Sequence, residues 1–128
     1  MAEVIEVRDP ANYDAAVAEV QKDQDFVVVI VSGDIDPNTG KNWCGDCERA
    51  KDNIKEYVIN QAQVKLLYCV VEKKESWKPG HFYKVHPVLK VKGVPTIVLL
   101  KDNEVVLRAE NDEDFFNVEL LTAIAKPE

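Results

Sequence analysis

At 128 residues the chain has the length of one domain, 1–128, enough to bury roughly two-thirds of its unfolded surface without cross-links or metals. Its formal charge of −7, from 16 basic and 23 acidic residues, repels a phosphate backbone, so nucleic acid is excluded as an expected partner. The longest apolar run, Phe26 to Val31, is far too short to span a bilayer, so no membrane is expected either.

The first ten residues, Met1 to Pro10, alternate apolar with charged and lack the basic start and long apolar core of a leader. Val4 to Val7 reads as a first strand closed by Arg8-Asp9-Pro10. Tyr13, Val17 and Val20 then recur at helical spacing over Ala11 to Lys22, with Asp9 or Asn12 as cap. Phe26 to Ser32 is β-branched and apolar without alternation, the pattern of a central strand covered on both faces. Gly33 to Asn42 is rich in turn formers and predicts a loop. Its Asp34, Asp36 and Asn38 imitate the opening of a calcium loop, but Thr39 stands where the glycine belongs and Gly45 where the closing glutamate belongs. A helix follows from Cys44 to about Asn60, with Cys47, Ala50, Ile54, Tyr57 and Val58 on one stripe.

Val64 to Val71 reads as a second central strand, parallel to the first through the intervening helix. Glu72 to Gly80 is charged and irregular, and a short helix is expected over His81 to Val85 before Pro87. After Val91-Lys92-Gly93-Val94-Pro95-Thr96, a strand over Ile97 to Leu100 turns at Lys101 to Glu104 and returns as Val105 to Ala109. Asn111 or Asp112 is expected to cap a final helix that turns Phe115, Val118, Leu120 or Leu121, and Ile124 inward.

The chemistry concentrates in Asn42-Trp43-Cys44-Gly45-Asp46-Cys47-Glu48. With Cys44 at the start of the helix, Cys47 lies one turn on along the same face, and that spacing permits a disulfide, which needs Cα atoms roughly 4.4–6.8 Å apart. Cys44 is nearest the unpaired N–H groups and positive end of the helix, which favour a thiolate. It is the expected nucleophile, and Cys47 the thiol that resolves a mixed disulfide. Two cysteines are also half of a zinc site, but only Cys69, His81 and His86 remain as ligands and none repeats the paired spacing, so no metal is expected. Cys69 reads as a small hydrophobe in its strand, and the two histidines as surface or backbone-capping groups. Three cysteines in a chain of this length suit a reducing compartment, and the cytosol is the expected location.

A Trp-Cys-x-x-Cys at a strand-to-helix junction, Gly-Val-Pro-Thr before a hairpin and a β-β-α ending together resemble the thioredoxin superfamily over nearly the whole chain. The polar insertion before Trp43, the aspartate at Asp46 and Glu75-Ser76-Trp77-Lys78 are similar to its thioredoxin domain-containing protein 17 family. The resemblance implies an α/β thioredoxin fold, with a mixed sheet of about five strands flanked by helices on both faces. It also implies a disulfide reductase recharged by NADPH through thioredoxin reductase and acting on cystine and selected protein disulfides. No cofactor beyond the redox-active Cys44–Cys47 pair is implied. By position, Trp43 would shape the rim, and Pro95 would follow a cis bond that leaves the Val94 backbone free to pair with substrate. Gly45 replaces the family's usual proline and loosens the first turn, glycine costing about 0.5–1 kcal/mol there relative to alanine. No acid stands in Phe26 to Ser32, where thioredoxins proper keep one, which leaves Asp46 as either a helper in deprotonating Cys47 or an ordinary first-turn acid. A redox-sensing adaptor with little turnover is the alternative reading.

Overall fold

Neither face of the run from Val27 to Val31 meets water, and this places it at the centre of the molecule. The computed structural model describes residues 3–127. Met1, Ala2 and Glu128, the ends of the expected 1–128 domain and part of the stretch read as lacking a leader, lie outside the described residues. Five strands, β1 (Val4–Val7), β2 (Phe26–Gly33), β3 (Leu66–Val71), β4 (Thr96–Lys101) and β5 (Glu104–Ala109), form one sheet in the order β1-β3-β2-β4-β5. β3 lies parallel to both β1 and β2, while β2–β4 and β4–β5 are antiparallel. Because successive side chains on a strand point to opposite faces, β2 divides its valines and isoleucine between two cores. Val27, Val29 and Val31 meet α1 (Tyr13–Gln21) and Tyr83 of the short α3 (Phe82–Val85). Val28 and Ile30 meet α2 (Gly45–Ile54) and α4 (Val118–Ala125) on the other face. The expected mixed five-stranded sheet with helices on both faces is therefore present. Among the described residues, no helix is long and apolar enough to cross a membrane.

Two local expectations are corrected and a third is narrowed. The long helix is α-helical only to Ile54; Lys55–Ile59 forms a π turn, closed by the Asn60 N–H on the Lys55 carbonyl. The final helix starts later than its acids suggest. Asn111 and Asp114 form a capping box around a 3-10 segment, Asp112–Phe116, and Asn117 then caps α4 through Leu120 N–H. The break at Asn117 turns Val118 outward, 44% exposed, while Phe115, Leu121 and Ile124 keep their inward places. His86 caps backbone N–H groups, but it is not at the surface: its Nδ1 accepts from Val88 and Leu89, and its Nε2 lies 2.8 Å from Asp14.

Candidate functional site

The site lies where β2 ends and α2 begins. Cys44 has extended backbone angles and is the N-cap of α2, its Sγ accepting from the Cys47 N–H at 3.2 Å. A sulfur here occupies the position usually taken by the oxygen of serine or aspartate, so a negative charge on it is directly stabilised. Asn42 holds Cys44 in this place. Its Oδ1 accepts from Cys44 N–H at 2.9 Å, its Nδ2 donates to the Gly33 carbonyl at 2.8 Å, and its own N–H donates to Glu48 at 2.9 Å. Asn42 was not among the expected site residues, although an asparagine two residues before a helix cap carries the signature of an Asx turn.

Trp43 is half-buried and anchored, with its indole N–H donating to the Val71 carbonyl at 2.8 Å. The polar loop before it is braced. Ile35 pairs with Asn42 across an isolated bridge, Asp36 caps the turn through Asn38 N–H, and Arg8 from β1's end holds Asp34 at 2.9 Å. Between this loop and Glu72–Glu75 runs a groove of about 580 Å³ floored by Trp43.

Opposite the cysteines, the Val94–Pro95 peptide bond is cis. The Val94 carbonyl accepts from the Cys44 thiol at 3.4 Å, so the structure brings the Val94-Pro95 segment, 50 residues away in sequence, against the Cys44 sulfur. Gly45 opens α2, and a Cβ built on it meets only Arg49 at 3.7 Å. Asp46 is half-exposed and ion-paired with Arg49 on the outer face of the helix. The groups that bear on Cys47 come instead from β2: Gly33 N–H, 3.4 Å from its sulfur, and the Ser32 hydroxyl.

Both cysteines are free thiols with unlike environments. The hydrogen bond from Cys47 lowers the Cys44 pKa from 9.0 to about 7, opposed by partial burial and aided by the Cys47 N–H and Arg49. Cys47 is pushed strongly upward, first by its hydrogen bond to Cys44 and then by burial. Cys69, wholly buried among apolar neighbours, is pushed up by burial to about 12. Iodoacetamide should therefore modify one thiol of the reduced protein rapidly, with a rate that halves near pH 7 and falls as pH drops below it. Mass spectrometry should place the adduct on Cys44; a midpoint near the ordinary thiol value would contradict the cap geometry. In stability terms the depressed Cys44 pKa helps the fold above pH 9.0 and loses that help as pH falls through about 7.

The sequence profile described as thioredoxin domain-containing protein 17-like, thioredoxin domain, matches residues 6–126. The thioredoxin-like protein Clot of Arabidopsis thaliana is 28% identical over 113 residues, spanning 82% of this chain and 83% of that protein. Among solved structures, the reduced thioredoxin pre-protein of Schistosoma mansoni overlays 98% of this chain on 100% of its own, with a TM-score of 0.61 at 17% identity. A chain from the complex of ferredoxin:thioredoxin reductase with thioredoxin f2 overlays 97% of this chain on 96% of its own, with a TM-score of 0.61 at 20% identity. These overlays show a thioredoxin fold.

Proposed function

The chain belongs to the thioredoxin domain-containing protein 17-like thioredoxin family, and we propose that it is a disulfide reductase that takes electrons from NADPH through thioredoxin reductase. The observation that carries this reading is the pairing at α2: a helix-capping thiol with a depressed pKa, and a second thiol one turn behind it whose own ionisation is suppressed. Cys44 attacks a substrate disulfide as the thiolate and forms a mixed disulfide while the other substrate sulfur leaves. Cys47 then attacks Cys44, and the second substrate thiol departs. The reductase returns two electrons to the Cys44–Cys47 disulfide, so no cofactor is needed in this chain. The Val94 backbone beside Cys44 suits pairing with an extended substrate segment, and Trp43 with the braced loop limits which disulfides reach the sulfur. Cystine and a restricted set of protein disulfides are the substrates of this reading, in the cytosol. One structural relative was solved together with a reductase, which supports a reductase as the electron donor.

The test is NADPH oxidation by thioredoxin reductase with cystine as acceptor, comparing the protein with Cys44→Ser. Sustained oxidation that vanishes in the variant is expected. Absence of oxidation from folded, reducible protein would sink the reductase reading and favour a redox-sensing adaptor.

A further inference from the structure

Resolution of a mixed disulfide requires Cys47 to attack as a thiolate, yet Cys47 is buried and its ionisation is suppressed in the reduced protein. The carboxylate nearest in sequence, Asp46, is turned outward to Arg49, and β2 carries no acid. Once Cys44 is bonded to substrate, its sulfur no longer holds the negative charge or accepts from Cys47. The charge must then develop on Cys47, in an interior where an unpaired ion is costly.

Two donors face the Cys47 sulfur from the end of β2. One is the Gly33 N–H at 3.4 Å. The other is the hydroxyl of Ser32, which is 3% exposed and ends an otherwise apolar buried run. Beside the buried tyrosines Tyr13 and Tyr83, the described residues bury three polar side chains, Ser32, Thr96 and His86, and the last two have evident structural partners. Thr96 donates to the Gly93 carbonyl, and His86 is held by Asp14 and two backbone N–H groups. Ser32 instead stands on the face of β2 that carries Val28 and Ile30 toward α2, the helix of Cys47, and it shares that face with Tyr68. The strand register explains this: Tyr68 pairs with Ile30, two residues before Ser32 and therefore on the same face of the sheet. Tyr68 packs against the core on that face, in the cluster that holds Ile30 and the inner residues of α2.

We infer that Ser32 is a catalytic residue of the resolving step, its hydroxyl donating to the Cys47 sulfur as the thiolate forms, and that Tyr68 is a positioning residue acting through it. The inference rests on the exchange chemistry proposed for Cys44 and Cys47. In the step, the Cys47 proton passes to solvent and the sulfur's electron pair forms the bond to Cys44. The bond between Cys44 and the substrate sulfur breaks, and the departing substrate thiolate takes a proton from solvent. The cysteine pair is oxidised and the substrate sulfur reduced. The charged and titratable groups around this path are Cys44 and, beyond Tyr68, Asp34 and Glu6, with Arg49 acting on Cys44.

The experiment is stopped-flow reaction of the reduced protein with 5,5′-dithiobis(2-nitrobenzoate), which separates the steps. Attack by Cys44 releases the first thionitrobenzoate and resolution by Cys47 releases the second. Because a hydrogen bond to a charged group is lost, Ser32→Ala should slow the second release by roughly ten- to a hundredfold at pH 7. It should also move the midpoint of that step's pH profile upward while the first release keeps its rate. Ser32→Thr should restore the second release, and Tyr68→Phe should slow it by less than Ser32→Ala does. An unchanged second release and midpoint in Ser32→Ala would overturn the inference. So would equal slowing by alanine and threonine, or loss of the first release as well, since these make Ser32 a packing group. If the wild type releases nothing in either phase, the proposed exchange function itself fails.

Discussion

Cys47→Ser should stall the protein on its substrates, leaving a stable mixed disulfide on Cys44. The serine preserves the side-chain shape at the third position of α2, where the backbone N–H still donates to the Cys44 sulfur, so attack on substrate continues. What disappears is the internal second nucleophile. A well-placed group of this kind acts with an effective concentration that can reach about 10⁵ M, so a millimolar external thiol replaces it poorly and turnover should fall on the order of 10³-fold or more. Non-reducing gels of Cys47→Ser incubated with an oxidised protein substrate should show an adduct that dithiothreitol dissolves. Cys44→Ser should show none, because Cys47 is buried and its thiol resists ionisation. Equal trapping by both variants would reverse or dissolve the division of roles between the two thiols. One complication has a definite sign. Losing the Cys47 S–H removes the largest influence depressing the Cys44 pKa, although the serine hydroxyl can donate in its stead. The adduct should therefore form somewhat more slowly at pH 6 than at pH 8, yet persist at both.

The residues proposed for this chemistry differ in how far the sequence reveals them. Cys44 and Cys47 are legible because three-residue spacing at a helix start is local information, and the cap geometry realises it. The double burial of β2 is legible for a similar reason, an apolar run without alternation having no wet face to offer. Ser32 is not. Its importance depends on β3 lying beside β2 in a register that sets Tyr68 opposite Ile30, and strand order is fixed by the whole sheet. The same limit hides the anchor of Trp43 on Val71, 28 residues away, and the clasp of His86 on Asp14, 72 residues away. The misplacement of Val118 has another cause. Helical periodicity runs through Asn117 in the sequence, but its side chain caps Leu120 N–H and restarts the helix with a new phase. Asp46 shows the reverse: adjacency to the active cysteines suggests a role in their titration, while its carboxylate is taken by Arg49 one turn along.

Gly33→Ala should damage the site more than any other single methyl addition at a glycine of this chain. Gly33 is the last residue of β2 and serves the site twice through its backbone, its N–H donating to the Cys47 sulfur and its carbonyl accepting from the Asn42 side-chain amide. A Cβ there would lie 2.5 Å from Asn42 Oδ1 and 2.8 Å from Trp43 Cε2. The crowded oxygen is the one that accepts from Cys44 N–H, and the crowded indole is the one bonded to Val71. Neither side chain is a loose end that can swing aside without losing a hydrogen bond. Overpacking of this kind costs about 1–3 kcal/mol, so the urea midpoint should fall by that cost divided by the slope, with the slope itself unchanged. Displacing Asn42 also frees the N-cap, so the alkylation midpoint of Cys44 should move upward from about 7 and cystine reduction should slow at neutral pH. Gly93→Ala is the control, since a Cβ there meets nothing within 4 Å although Gly93 precedes the Val94-Pro95 segment. It should leave stability and midpoint unchanged. Wild-type behaviour in Gly33→Ala would mean that Asn42 and Trp43 can move without consequence, and that Cys44 is held by α2 alone.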